Sequence, residues 1–467
     1  AKIVREKGRV VVPGWVKLDL PRNIFYEKEI EFSVPRSSGP GLYDPQYESG
    51  KIDYPYAYVR WTVKRNMETF LNLIKRGDVK IDPLITHIFD FENAEKVYRR
   101  LYERKLKGAI GILFKYKAKF RKNEPLIIEI KPLKRKEAKE KDVVNVGFIG
   151  AGQHTQSVLL PILKKLKKVK LRTVCTSRPL TATRVAKRWG FAYATTDYRK
   201  VVDDPEIDAI FIATRHNTHA FFAAEALNAG KYVFVEKPLA MNYEQLEMIK
   251  KAWEKNPGKL MVGFNRRYAP LIQEVKKTLE NRIEPLFILM RINAGYTPLD
   301  HWIFDPIQGG GRVIGEVCHF VDLAIFLTNS FLENIYANNI SKTDKYHYTD
   351  NVSIIMKHED GSLTTILYTA AGTRKYPRER IEIFCEETIY VIDNFKQLEI
   401  KGRKGCKKTR LLNVDRGHKN ECEIFTKYVK EGKMIPYFDQ YVQATVATFK
   451  INKILSEKAK NKTIKFI

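Results

Sequence analysis

The sequence predicts an α/β protein: a doubly wound parallel sheet, then an α+β lobe with a large, mostly antiparallel sheet, and a smaller α/β fragment in front of both. Three observations predict it. From Val143 to about residue 264, apolar strands alternate with helices, the rhythm of a parallel sheet covered on both faces. Beyond about residue 280, long strands come in succession, as in an antiparallel sheet. Residues 1–120 carry strand and helix signals of their own.

In chain order, GRVVVPGW (8–15) reads as an apolar strand ending in a Pro-Gly turn. A Gly-, Pro- and Tyr-rich loop spans 37–58. In 64–77, Met67, Phe70, Leu71 and Ile74 recur at helical spacing before Gly77. FENAEKVYRRLYERKLKG (91–108) is a second amphipathic helix, followed by the strand AIGILFKY. Residues 121–142 are charged around one apolar run, LIIEI, and read as a linker. Strand VVNVGFIG and helix SVLLPILKKLKK open the alternating region. VKLRTVCT, IDAIFIAT, KYVFVEKP and KLMVGF continue it as strands. PLFILMRINA, NVSIIMKH, SLTTILYTAA, IEIFCEETIYVI and KQLEIKG build the second lobe. The expected boundaries are 1–120, a linker at 121–142, a nucleotide-binding domain at 143–265 and a substrate and oligomerisation domain at 266–467.

At 467 residues and 44% hydrophobic content, the chain has material for about three cored domains. Its 83 Lys+Arg against 54 Asp+Glu give a net charge of +29. The basic residues are mixed with acids along the whole length, as in KPLKRKEAKEKD (131–142), and no zinc finger or RNA motif accompanies them. A nucleic-acid role is therefore not expected; the Lys-, Ile- and Tyr-rich composition suits a heat-adapted surface. No apolar run reaches the ~18 residues of a membrane span. The five cysteines form no C-x-x-C pair, so neither a disulfide scaffold nor a metal site is expected, and a cytoplasmic location is.

The turn VGFIGAGQHTQ places Gly147, Gly150 and Gly152 at the end of the first alternating strand, with Gln153, His154 and Thr155 leading into a helix. Glycines there let the backbone approach a pyrophosphate lying at the helix N-terminus. The third position of G-x-G-x-x-G is Thr155, and the strand–turn–helix context supports a Rossmann dinucleotide site. The second strand ends Thr176, Ser177, Arg178, with no acid to take the ribose hydroxyls. Hydroxyls and a guanidinium suit a 2′-phosphate, so NADP(H) is the preferred expectation and NAD(H) the second.

The run EKP at 236–238, with GFIGAG, IATRHNTH and GFNRRYAP in the same order, resembles the Gfo/Idh/MocA family of NAD(P)-dependent sugar and polyol oxidoreductases over about 143–467. The resemblance implies that Glu236 and Lys237 lie beside the nicotinamide and that Lys237 approaches the reacting hydroxyl. It implies that His319, in GGGRVIGEVCHFVD, handles the hydroxyl proton. The family's Asp falls on Gly315; Glu316, adjacent to it, is the substitute to test, and Glu316 or Asp322 is expected near enough to orient the imidazole. Thr214, His216 and His219 match a cofactor-edge loop, although Arg215 stands where the family has Pro. Asn265 and Arg266 fall beside the nicotinamide, and Arg266, Tyr296 and Trp302 are offered to the substrate.

The N-terminal stretch, most specifically IDPLITHIFDFENAEKVY, resembles the last portion of a medium-chain, zinc-type alcohol dehydrogenase, whose front half and zinc ligands are missing here. Two readings stay open: a companion chain completes the fold, or the fragment serves docking or oligomerisation. The expected function is hydride transfer to or from a carbinol carbon of a sugar, polyol or nucleotide sugar, by a homo-oligomer. The alternative is a non-catalytic dinucleotide-binding sensor or scaffold.

Overall fold

In the computed structural model, residues 3–14, 17–35, 39–50, 52–116, 127–130, 142–340, 345–403 and 405–460 are described, with side chains to 457. They fall into two compact units, 1–122 and 123–467.

In the first unit, Arg9–Val11 pairs in parallel with Glu31–Ser33. Helix Val63–Arg76 is started by the Thr62 hydroxyl, which accepts from the Arg65 amide, and stopped by left-handed Gly77. Ile85–Asp90, helix Ala94–Tyr102 and Gly111–Lys115 form a parallel β-α-β element. Among its described residues, Ile30 and Val97 are the buried apolar side chains, whereas Phe70, Ile88, Tyr98 and Leu113 are about half exposed or more. So small a core does not supply the burial a free-standing domain needs.

In the second unit, strand Val144–Ile149 is apolar on both faces because helices cover both. On one face Ile149, Ile210, Ile212 and Val235 pack with helices His216–Asn228 and Tyr243–Lys255. On the other, Phe148 stacks on Phe211 at 4.9 Å between ring centroids, and Val146 and Met261 join the same layer. Among the described residues this sheet has seven strands, ordered 260–262, 232–235, 209–212, 144–149, 169–175, 193–195 and 127–129. All neighbours are parallel except the last pair.

The structure corrects the sequence reading here. Ile127–Glu129, inside the expected linker, is an antiparallel edge strand on Tyr193–Thr195; the rest of that stretch, 121–126 and 131–141, lies outside the described residues. A second correction concerns the C-terminal boundary. Helix His418–Glu431 puts Cys422, Phe425 and Val429 into the core of the nucleotide-binding sheet, so the chain returns to the earlier domain.

The second sheet has eight described strands, ordered 332–339, 351–358, 363–369, 287–293, 379–385, 388–393, 397–402 and 405–410. It is antiparallel except where Phe287–Asn293 lies parallel to Leu363–Thr369. Burial alternates along Asn351–His358, the period-2 mark of a sheet with one covered face. Helix Cys318–Thr328, buried throughout, belongs to the same core. Among the described residues, no helix is long and apolar enough to cross a membrane, and no cluster of three or more His, Cys, Asp or Glu is arranged to hold a metal.

Candidate active site

A cleft of about 1210 Å³ runs along the carboxyl ends of the parallel strands, where open α/β sheets bind ligands. The turn at Gly150 shapes one end. Gly150 has φ +91°, and a Cβ there would lie 2.4 Å from the Ala213 carbonyl oxygen, so only glycine fits. Gly152, Gln153, His154 and Thr155 line the cleft next to it. The helix that follows opens with a π-helical turn, Thr155–Leu159, a feature that clusters at functional sites.

Thr176 and Ser177 also line the cleft. Arg178 does not; it is exposed, and its carbonyl accepts from the Thr176 hydroxyl at 2.9 Å just before helix Pro179–Trp189. A charge argument on sequence cannot see that this residue's backbone role at a helix start leaves its side chain outside the lining. Thr214, His216 and His219 line the adjoining wall. His219 is enclosed, with Nδ1 2.9 Å from the Pro238 carbonyl and Nε2 3.3 Å from that of Thr214. It thereby ties the Thr214 loop to the Lys237–Pro238 segment, whose peptide bond is cis.

Glu236 and Lys237 directly follow strand Tyr232–Val235. Burial alone would raise the Glu236 carboxyl. The bond to His154 Nε2 at 3.1 Å and the charges of His154 and Lys237 outweigh it and bring the group to about 2. Lys237 Nζ donates to the Gly315 carbonyl at 2.9 Å, using one of three ammonium donors. His319 lines the same cleft from the helix of the second lobe. Lys237 and His319 also share a smaller cavity of about 250 Å³ with Arg266, Glu316, Arg378 and Trp302. His319 Nδ1 is enclosed without a hydrogen-bond partner. Burial first, then the charges of Arg266 and Lys237, push this imidazole well below its ordinary range, so it is neutral near pH 7.

Three expectations are corrected. Glu316 lines the small cavity but does not hold His319. Its carboxylate accepts from the Tyr368 hydroxyl at 2.6 Å and from Arg378 at 3.1 Å, with Arg312 3.9 Å away. Asp322, the other candidate to orient the imidazole, is taken by Arg267 in a fully buried two-bond pair. Tyr296 lies outside both cavities; its ring meets Tyr346, and its carbonyl accepts from Arg374. Trp302 does line both, with the Arg215 guanidinium 4.0 Å over its ring.

Gly315 has a steric reason. A Cβ there would lie 2.9 Å from His216 Cε1 and 3.2 Å from Ile303 Cδ1. His216 fills the space an aspartate would use, held by the Gly309 carbonyl at 2.8 Å.

Sequence reasoning missed Arg378, Arg416 and His418, which line the cleft from the second lobe and from the returning helix. The signal was the glycine before that helix. A Cβ at Gly417 would lie 2.3 Å from the Asn265 carbonyl oxygen, so the chain crosses the Asn265 turn at close range. Asn265 Nδ2 donates to the Arg416 carbonyl at 2.8 Å, and the His418 ring lies 5.7 Å from that of His154.

The buried histidines give a stability expectation. Burial is the largest cause that lowers His216 to about 3 and His418 to about 4, from an ordinary 6.5. The unfolded chain takes up protons as pH falls through 6.5, whereas the folded chain does not until 4 and then 3. Stability from these groups is therefore complete above about pH 6.5 and drains away as pH drops toward 3. Thermal unfolding followed from pH 7.5 to 5 should show a falling midpoint; a flat midpoint would refute the assignment.

Comparison with known proteins places this geometry. Residues 144–264 match the oxidoreductase family with an NAD-binding Rossmann fold, and residues 284–391 match the GFO/IDH/MocA C-terminal domain. The chain is a GFO/IDH/MocA family oxidoreductase over these two domains. Myo-inositol 2-dehydrogenase of Thermotoga maritima is 24% identical over 304 residues, 62% of this chain and 89% of that protein. Levoglucosan dehydrogenase of Pseudarthrobacter phenanthrenivorans is 31% identical over 171 residues, 34% of this chain and 43% of that one. A solved structure of levoglucosan dehydrogenase with NADH and levoglucosan has the same fold, with TM-score 0.59 and 23% identity over 68% of this chain and 98% of that one.

Proposed function

We propose that this site oxidises a carbinol carbon of a sugar, polyol or nucleotide sugar, or reduces the matching carbonyl. The observation that carries the reading is that Lys237 and His319, from different domains, line one cavity continuous in residues with the glycine-turn cleft. The cleft suits a nicotinamide dinucleotide. Its glycine turn has room for a close backbone approach, nothing standing within 4 Å of a Cβ at Gly152. Gly150–Thr155 would take the pyrophosphate at the helix start, and Thr176 and Ser177 the adenosine ribose. When bound, that cofactor supplies the acceptor or donor of the hydride.

The chain's own residues do the rest. Lys237, fixed by the Gly315 carbonyl, keeps donors for the substrate oxygen and stabilises the charge that grows there as hydride leaves carbon. His319, neutral at rest, accepts the hydroxyl proton in oxidation and returns it in reduction. Glu316 fixes Arg378 rather than the imidazole. Absorbance of reduced dinucleotide at 340 nm, scanned over polyols and aldoses, is the test. Tight dinucleotide binding with no turnover on any of them would favour the sensor reading.

Preference for NADP(H) rests on the missing carboxylate at 176–178. Titration of NADPH and NADH should show the phosphate-bearing form bound more tightly by at least ~10-fold, about one charge-assisted hydrogen bond; equal affinity would remove the preference. The apolar residues exposed on the first unit, Phe70, Ile88 and Leu113 among them, support cover by further polypeptide, either a companion chain or a second copy. The expected result of deleting residues 1–120 is a change of mass on a sizing column with NADPH affinity retained.

A further inference from the structure

We propose that the substrate carries a carboxylate, received by Arg266 and Arg378; this rests on the dehydrogenase reading above. Three cations, Lys237, Arg266 and Arg378, line the small cavity against one carboxylate, Glu316. Behind them Glu379 is shared by three guanidinium groups, Arg266 at 2.6 Å, Arg416 at 3.0 Å and Arg378 at 3.5 Å. Glu379 is ionised: burial pulls its carboxyl upward, and the three arginines outweigh it. With Glu236 beside Lys237, and Arg312 between Glu316 and Asp350, four carboxyl groups face five cations, and the surplus is one positive charge.

That surplus is poorly solvated. The Arg266 side chain is 8% exposed, and its Nε is enclosed with no hydrogen-bond partner. A buried charged donor without an acceptor is costly, and such an orphan in a native protein calls for a ligand. A neutral sugar hydroxyl would satisfy the donor and leave the charge. A carboxylate satisfies both, because its two oxygens match the planar guanidinium fork. Arg378, 44% exposed at the side chain, has Nη2 on Glu316 at 3.1 Å and Nε 3.5 Å from Glu379, and Nη1 remains for the same group. The class that fits is a sugar acid, with the carboxylate on the arginines and one carbinol at Lys237 and His319.

The test compares D-glucuronate with D-glucose, using the full chain saturated with NADP⁺ or NAD⁺. The expected result is a kcat/KM for glucuronate at least ~10-fold above that for glucose. In Arg378→Ala that ratio should fall by about 10- to 100-fold through KM for the acid, the loss of one charge-assisted contact. Arg378→Lys, which keeps the charge and loses the fork, should fall between. Arg380→Ala, two residues further on in strand Glu379–Cys385, paired with Glu382 and outside both cavities, serves as the control for folding. Glucose used as well as glucuronate, or a loss in Arg378→Ala equal for both sugars, overturns the proposal. So does a matching loss of dinucleotide affinity, which would assign the charge to the cofactor. Calorimetric titration of glucuronate into the dinucleotide-bound protein separates the two readings. Binding that Arg378→Ala abolishes, without turnover, supports the carboxylate site and sinks the dehydrogenase reading. Turnover of glucose without glucuronate binding does the reverse.

Discussion

Lys237→Ala is expected to lower turnover by about 10²–10⁴-fold, the range for a positioned acid–base or charge-stabilising group, with dinucleotide affinity changed only a few-fold. The lysine follows a strand whose carboxyl end faces the cleft, and a backbone carbonyl of the other domain fixes its ammonium at 2.9 Å. Alanine removes the cation where alkoxide charge grows. It leaves the Gly150 turn and the Thr176–Ser177 edge intact. Single-turnover kinetics with saturating dinucleotide isolates the step. A variant that keeps more than about a tenth of wild-type turnover would remove Lys237 from the chemistry.

The largest effect on stability is expected at Asp322. Its carboxylate and the Arg267 guanidinium are both fully buried and joined by two hydrogen bonds. Arg267 also lies about 5 Å from the rings of Phe326, Tyr437 and Tyr441. Asp322→Ala strands that charge in a low-dielectric core, which typically costs about 3–5 kcal/mol. Urea denaturation should show it. Replacing both partners with apolar residues should cost less than the single change, because no unpaired charge remains. The pair also joins the 265–268 turn to the helix that carries His319, so turnover in Asp322→Ala should fall beyond what lost folding explains. A single mutant as stable as wild type would contradict this account of the core.

Much of this was legible in the sequence, for physical reasons. Strand 209–212 is buried on both faces and reads as an unbroken apolar run, and strand 144–149 reads as one interrupted only by Asn145, which is partly exposed. Gly150 sits at a backbone approach that only glycine permits, so its place after a strand is informative. What stayed hidden depends on tertiary return. Ile127–Glu129 is too short and too charged at its flanks to read as a strand; it becomes one because the sheet edge at Tyr193–Thr195 offers ladder partners. Arg378 and Arg416 reach the cleft from segments more than 100 residues beyond the Rossmann turn; Gly417 marks the second of them, and nothing in its local sequence marks Arg378. The partners of Asp322 and Glu316 were misread for one reason: helical proximity to His319 suggested contact, whereas each carboxylate is held by an arginine distant in sequence, buried Arg267 for Asp322 and half-exposed Arg378 for Glu316.

In the proposed reaction Lys237 and His319 serve a hydride transfer between a carbinol carbon and a nicotinamide. Its most direct measurement uses a polyol or sugar acid bearing deuterium on the reacting carbon, with mass spectrometry of the reduced dinucleotide. The expected result is deuterium on the nicotinamide ring with the wild-type chain and loss of that label by two orders of magnitude or more in Lys237→Ala. Dinucleotide bound at full stoichiometry, with no deuterium transferred from any labelled substrate, would contradict it.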